Sequence, residues 1–453
     1  MCIYHWIRRL RGPVLGLALA ITGSSGPLNA AETPKGIASF QDFLAGVKTA
    51  KFEKYKELRD SAIVNEKEFS RMQGHILRLY EGVKVTNSFM GQGGSIIDCV
   101  TIDSQPGLRG KKLAKGPKAS IPPEVKDRKD DQPNAKPVKP QLSEGNVDKF
   151  NNPQFCKKGT IPMRRLDLEG VTRFKTLDDF LAKEPVPRDH SMKKKEPVPG
   201  DGDTYTHYWA HAKQTVDNHG GDSVINVWKP EADPGWFSLS QHWYVGGSGA
   251  NKQTVEGGWQ VARRKYNNRD PNLFIYYTSA NYATGSGCYN LDCAAFVQVN
   301  NAWVLGGKLA PVSTTGSTQY IIRMQWQLYE GNWWLFVKGA GDYIAVGYYP
   351  GSVYNGGQLT RYAQKIDYGG EVSSLLGDNK TGQMGSGKKA SHGWQQSAYQ
   401  RTIYYINRSQ TGVWANLTAV QNTSSCYTVD LHNLTSSSWA TYFYYGGPKC
   451  PNP

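Results

Sequence analysis

Beyond residue 200 the chain alternates apolar and polar residues with a period of two. Phe237-Ser-Leu-Ser-Gln-His-Trp243 and Ala294-Ala-Phe-Val-Gln-Val-Asn300 do so cleanly, as strands do when successive side chains point to opposite faces. Residues 222–227, 273–278, 320–328, 333–338, 401–406 and 440–445 are also strand-like. Gly, Asn, Asp and Ser clusters separate these runs, and no stretch of helical period exceeds about ten residues. About a dozen short strands with polar turns predict an all-β antiparallel sandwich or jelly roll. It would occupy residues 204–453 as one domain, with no repeat of fixed period.

The first 200 residues follow other patterns. Residues 40–60 place apolar side chains at helical intervals among lysines and acids, which predicts an amphipathic helix. Residues 104–146, rich in Pro, Lys, Asp and Gly without a usable period, read as a solvated linker. Residues 183–203 form a second proline-rich charged stretch, an exposed boundary open to cleavage. Residues 32–182 are then a smaller α+β domain containing the first linker.

Composition breaks at the same boundary. Twelve of the 13 tryptophans and 23 of the 26 tyrosines lie beyond residue 200, so the aromatic core belongs to the β domain. The net charge of +15 would suggest nucleic acid until it is located: residues 200–453 carry 18 Lys and Arg against 15 Asp and Glu. The excess sits in the first 199 residues, in segments such as Lys193-Lys194-Lys195, and suits masking of the main domain better than DNA binding. No nucleic-acid partner is expected.

Residues 1–31 resemble a signal peptide: Arg8, Arg9 and Arg11, an apolar run from Pro13 to Ile21, then small residues up to Ala30-Ala31. No other stretch has the roughly 18 apolar residues a membrane helix needs. The mature protein is therefore expected to be exported, extracellular or periplasmic, with no membrane association and as a monomer. Cys99, Cys156, Cys288, Cys293, Cys426 and Cys450 outlast the leader, and an even number in an exported chain favours disulfides. Fifteen pairings are formally open; sequence neighbourhood favours 99–156, 288–293 and 426–450.

Several motifs fail on their chemistry. Gly382-Gln-Met-Gly-Ser-Gly-Lys388-Lys389 lacks the Ser or Thr that would hold magnesium in a phosphate loop. His207-Tyr-Trp-Ala-His211 lacks the glutamate of a zinc protease helix, and no metal or cofactor is expected. There is no Gly-x-Ser-x-Gly elbow. What remains is a scarcity: past residue 200 the glutamates are Glu231, Glu256, Glu330 and Glu371. Glu256 and Glu371 lie in glycine- and aromatic-rich segments, where backbone can approach a ligand closely. Two such carboxyls can divide acid and base work when their surroundings split their pKa values.

The chain resembles the neprosin family of glutamic peptidases. In the N-terminal part the matching segments are Ile96-Ile-Asp-Cys-Val-Thr-Ile-Asp-Ser-Gln-Pro106 and Cys156-Lys-Lys-Gly-Thr-Ile-Pro-Met-Arg-Arg165. The series continues with Ile225-Asn-Val-Trp-Lys-Pro230, Phe237-Ser-Leu-Ser-Gln241, Val255-Glu-Gly-Gly-Trp-Gln-Val261 and Gly287-Cys-Tyr-Asn-Leu-Asp-Cys293. Phe296-Val-Gln298, Gly331-Asn-Trp-Trp-Leu335, Gly369-Gly-Glu-Val372 and Tyr442-Phe-Tyr-Tyr-Gly-Gly-Pro448 complete it.

The resemblance implies a sandwich of two large lectin- or glucanase-like sheets behind an N-terminal activation domain. Its catalytic glutamates carry over to Glu256 and Glu371, facing each other across a cleft, with cleavage after proline at acidic pH. The chain departs from the family at Gly257, often alanine there, at Asp367-Tyr368, at Arg263-Arg264 and in an early Cys450; Tyr368 adjoins a catalytic position.

The reading is a secreted zymogen of a glutamic endopeptidase, acting on peptides or proteins and inhibited by its own pro-segment. Gln241 and Gln260 are candidate oxyanion donors, and Trp259, Tyr289 and Tyr368 candidate walls for a proline ring. Pro185, Pro187, Pro197 and Pro199 are candidate self-cleavage points. The alternatives are a carbohydrate-active sandwich, which also uses paired carboxylates and aromatic platforms, and a non-catalytic wall-binding module. In a eukaryotic secretory path Asn379, Asn407, Asn416, Asn422 and Asn433 would head glycosylation sequons.

Overall fold

Helical periodicity in residues 40–60 becomes two helices rather than one. The computed structural model describes residues 34–124, 135–183, 205–233, 237–339, 341–375, 378–422, 425–434 and 438–451. The expected leader and all but the first residue of the linker expected at 183–203 lie outside them. Helix α1 (Phe40–Thr49) stops at Ala50, which is extended, and α2 (Phe52–Lys56) restarts after it. The break lets both elements pack around α3 (Glu66–Leu79): Phe40 and Phe43 reach Tyr80 just past its end, while Phe52 and Tyr55 reach Phe69 within it. Asn65 caps α3 by accepting from the Glu68 amide, and its buried face is Phe69, Met72, Ile76 and Leu79.

A small antiparallel sheet of β1 (Val85–Met90), β2 (Ile96–Thr101) and β4 (Thr160–Arg164) completes this domain, with short helices α4 (Leu168–Val171) and α5 (Leu177–Leu181) after it. Arg165 and Asp98 form a buried ion pair at 2.6 Å, which Ser88 joins. The Cys99–Cys156 disulfide ties β2 to the segment before β4.

The segment expected to be a solvated linker is, where described, a strap on the β domain. Pro106, Gly107 and Leu108 are buried, and the Gln105 side chain exchanges two hydrogen bonds with the Gln298 backbone. Further on, β3 (Lys136–Pro137) pairs in parallel with a strand of the larger sheet. Its glycines explain the misreading, because they serve contact rather than disorder. A Cβ on Gly107 would stand 2.1 Å from the Phe296 carbonyl oxygen, and one on Gly116 2.9 Å from the Trp334 ring.

The C-terminal domain is a sandwich of two large, mainly antiparallel sheets, as the period-two pattern predicts. The cleft sheet runs β10 (Gly287–Tyr289), β9 (Asn272–Thr278), β8 (Gln253–Val261), β7 (Phe237–Gly246), β15 (Ala363–Leu375), β5 (Tyr205–Asn218), β18 (Thr418–Gln421). The backing sheet runs β11 (Val297–Gln298), β14 (Ile344–Tyr349), β13 (Asn332–Lys338), β12 (Tyr320–Tyr329), β6 (Gly220–Asn226), β16 (Ala398–Ile406), β20 (Thr441–Gly446), β19 (Thr428–Asn433). The short β3 and β17 (Gly412–Trp414) add to it. Alternation at 294–300 yields only β11, and beyond it the Trp303 and Val304 amides donate to the Asn300 and Gln141 side chains.

Between the sheets lies the aromatic core, with Trp259, Trp326, Trp333, Tyr244, Tyr349 and Tyr368 fully buried. Gly257 and Gly370 allow close approach of the layers: a Cβ on Gly257 would lie 2.9 Å from Met324 and Trp326, and one on Gly370 2.6 Å from Tyr445. Cys288 pairs with Cys293 across a local turn, and Cys426 with Cys450 near the C-terminus.

Candidate active site

All nine residues of β8 are buried. A sheet with one solvated face would alternate, so something covers the other side. The cover is the N-terminal domain. Lys265 of the β domain donates to the Phe180 carbonyl at 2.8 Å, stands over the Phe180 ring and pairs with Asp292 at 2.8 Å. From α3, His75 meets the Asp292 carbonyl oxygen at 2.8 Å.

Period two assigns the side chains of the cleft sheet. Thr254, Glu256 and Gln260 of β8 face the cleft, while Val255, Trp259 and Val261 face the core. On β15, Asp367 and Glu371 face the cleft, and Ile366, Tyr368 and Val372 the core. Strand β7 lies between them and pairs with both: Gln241 stands opposite Gly258 on one side and Gly369 on the other. Glu256 is opposite Trp243 and Glu371 opposite Leu239, so the two glutamates straddle Gln241 on a diagonal. The flanking glycines put no side chain beside the Gln241 amide.

The carboxyls meet at one cation. Lys183, two residues past α5, places its Nζ 2.6 Å from Glu256 Oε2 and 3.1 Å from Glu371 Oε2, and 3.3 Å from Gln241 Oε1. All three charged side chains are at most 4% exposed. Each remaining carboxylate oxygen has its own donors. Glu256 Oε1 accepts from the Thr254 and Tyr282 hydroxyls, both at 2.7 Å. Glu371 Oε1 lies 2.7 Å from His207 Nδ1, and Glu371 Oε2 lies 3.4 Å from Gln241 Nε2.

Electrostatics follow from that packing. Burial alone would lower the Lys183 pKa, but Glu256 and Glu371 outweigh it and raise it. Burial alone would raise that of Glu371; the Lys183 ammonium and then His207 overcome it and bring the carboxyl down to about 2. Among the described residues no three His, Cys, Asp or Glu side chains converge to hold a metal, and no helix is long and apolar enough to cross a membrane.

Of the residues singled out in the sequence, Glu256, Glu371 and Gln241 converge. Trp259 and Tyr368 do not. Both point into the core, where the Trp259 indole donates to the Asn226 carbonyl and the Tyr368 hydroxyl to the Tyr404 carbonyl. Each is an odd number of positions from its glutamate along a strand, which places it on the opposite face. Gln260 is on the cleft side but engages Tyr289 and Tyr266 at 3.2 Å each, so its amide is committed away from the glutamates. Tyr289 is buried on that side in a cluster with Phe237, Leu239, Phe274 and Tyr276, with Lys265 over its ring.

Sequence reading misses Lys183, Thr254 and Tyr282 and takes His207 only as half of a metal motif. Thr254, two positions before Glu256 in an alternating strand, was accessible to it. The i, i+4 histidine spacing suits a metal motif on a helix; on a strand it gives two same-face side chains, His207 on Glu371 and His211 on Asp367.

Fold and site together define a β-sandwich with two carboxylates converging on one point of a covered cleft. Residues 234–448 match the model of the Neprosin family, and the C-terminal domain belongs to that family. Among solved structures, scytalido-glutamic peptidase with a transition state analog inhibitor is similar at 10% identity and a TM-score of 0.29, over 53% of this chain and 98% of that one. SCP-B of the Eqolisin family of peptidases, in complex with a tripeptide, is similar at 9% identity and a TM-score of 0.28, over 54% of this chain and 100% of that one. At those scores the likenesses carry no inference about this site.

Proposed function

We propose that this chain is the exported zymogen of a glutamic endopeptidase whose acid–base pair is Glu256 and Glu371. One observation carries the reading: a single ammonium nitrogen within 3.1 Å of both Oε2 atoms. A point that close to both carboxyls is where a water could be activated and a peptide carbonyl polarised. One glutamate takes the water's proton as its oxygen attacks the carbonyl carbon; the other, protonated, donates to the leaving nitrogen as the carbon–nitrogen bond breaks. Gln241, between them, is the oxyanion donor.

Lys183 also supports latency. It comes from the N-terminal domain and occupies the position the chemistry needs. Acid would weaken the clamp by protonating the carboxylates, and cleavage in the stretch after Lys183 would free the domain. Cleavage after proline, as the family resemblance implies, would make Pro185, Pro187, Pro197 and Pro199 the points of release. Peptides and proteins are the substrates.

The test is incubation of the purified full chain at pH 3–5 with a proline-containing fluorogenic peptide, with and without pepstatin and a chelator. Cleavage insensitive to both supports the reading. Chelator-sensitive cleavage, or none after the N-terminal domain has been shed, refutes it.

A further inference from the structure

The two glutamates differ in what would remain around them once Lys183 has left. Glu256 keeps two neutral donors, Thr254 and Tyr282, both on Oε1. Glu371 keeps His207, whose Nδ1 lies 2.7 Å from Oε1 with the side chain 11% exposed. The ring is held in place, stacked 5.7 Å from Trp209 and edge-on to Phe237 at 5.9 Å. Other charges near the cleft are engaged elsewhere. Four residues before Glu371 on β15, Asp367 pairs with His211 and Lys365 at 3.1 and 2.9 Å. Lys252 lies over the Tyr282 ring at 4.9 Å, behind the phenol rather than on the carboxylate. Among the described residues of the β domain, His207 is therefore the ionisable base in contact with the pair, and of the two glutamates it meets Glu371.

We propose that His207 is a positioning residue that keeps Glu371 ionised as the general base and so leaves the pair's single proton on Glu256. The inference rests on the glutamic peptidase reading. Two carboxyls facing one point share a proton, and it goes to the one less stabilised as an anion. An imidazolium against Glu371 places it on Glu256. The Oε1 atoms are held by fixed donors and the Oε2 atoms both face the Lys183 nitrogen, so the Oε2 atoms are the working ones. Glu371 Oε2 accepts a proton from water while the hydroxide oxygen bonds to the carbonyl carbon. The Glu256 Oε2 proton passes to the leaving nitrogen as the carbon–nitrogen bond breaks. Glu371 then returns its proton to Glu256 through the next water, and the cycle closes without another reactant.

The sign of the pH effect is fixed. Removing the His207 charge raises the Glu371 pKa, so the ionised base is lost at higher pH and the acidic limb of the rate profile moves upward. The test uses the full chain after acid activation, as His207→Asn, which retains a donor without charge, and His207→Phe, which retains neither. The acidic limb of kcat should move up by about one pH unit in His207→Asn, and kcat should fall by roughly 100-fold in His207→Phe, with KM within about twofold in both. An acidic limb that stays in place overturns the proposal.

A second comparison does not depend on folding of the histidine variants. Glu256→Gln loses the transferable proton but keeps the base and the Gln241 oxyanion donor, whereas Glu371→Gln has no base to activate water, so Glu256→Gln should retain about tenfold more activity or better. The reverse order overturns the assignment. Full activity in both glutamate variants would instead refute the glutamate acid–base pair on which the inference rests.

Discussion

Lys183 Nζ lies 2.6 Å from Glu256 Oε2 across 73 residues of sequence, and the same nitrogen holds Glu371. A lysine ends up buried there because two carboxylates are buried with it. None of the three would tolerate that environment alone. The contact ties the docking of one domain to the protonation of the other domain's site.

Lys183→Met removes the shared cation. Breaking a buried pair by deleting one partner typically costs about 3–5 kcal/mol, less where the orphaned carboxyls can take up a proton. The variant should shed its N-terminal domain at higher pH than the native chain, read on a gel as the pH at which the C-terminal fragment first appears. An unchanged onset contradicts the clamp.

The depressed pKa of Glu371 sets a pH window. A carboxyl at about 2 against an ordinary value near 4.5 contributes stability that is complete above 4.5 and is lost as pH falls toward 2. The contribution is at most on the order of 3 kcal/mol. Urea unfolding of the intact chain should show a steep loss of stability below pH 4.5 that Glu371→Gln flattens. Equal slopes in the two proteins would remove Glu371 as the sensor.

Trp259 and Tyr368 should act on stability and not on specificity. Trp259→Ala should cost about 3–5 kcal/mol of unfolding free energy, and Tyr368→Phe about 1 kcal/mol through the lost bond to the Tyr404 carbonyl. Neither should alter the ratio of kcat/KM between proline and non-proline peptides. A changed ratio in Tyr368→Phe would put that ring in the substrate path.

Cleavage during activation should fall in the stretch after Lys183. N-terminal sequencing of the acid-released fragment should start between residues 186 and 205. A start far from that interval contradicts the proposed release.

Strand period was the most legible property of this chain, because alternation reports directly which side chain faces which layer. It does not reach Glu256 or Glu371, whose strands lie outside the runs it marks; scarcity and resemblance single them out, and alternation along those two strands takes Trp259 and Tyr368 out of the cleft. The strap at 104–146 was illegible because Pro- and Gly-rich backbone reads as disorder unless the surface it lies on is known; Gly107 against Phe296 has no local signature. Lys183 was hidden for a similar reason. A lysine at the head of a charged linker looks solvated, and only the cleft from another domain makes it a buried counter-ion. His207 was visible but was read with a helix's spacing on what is a strand.

Rates of the acid-activated full chain carrying Glu256→Gln or Glu371→Gln test the pairing most directly, on a peptide substrate at pH 4 with folding checked by thermal unfolding. Both variants should fold and lose at least about 100-fold in kcat, Glu371→Gln more than Glu256→Gln. Two folded variants cleaving at the native rate would contradict the assignment of these carboxyls as the acid and base.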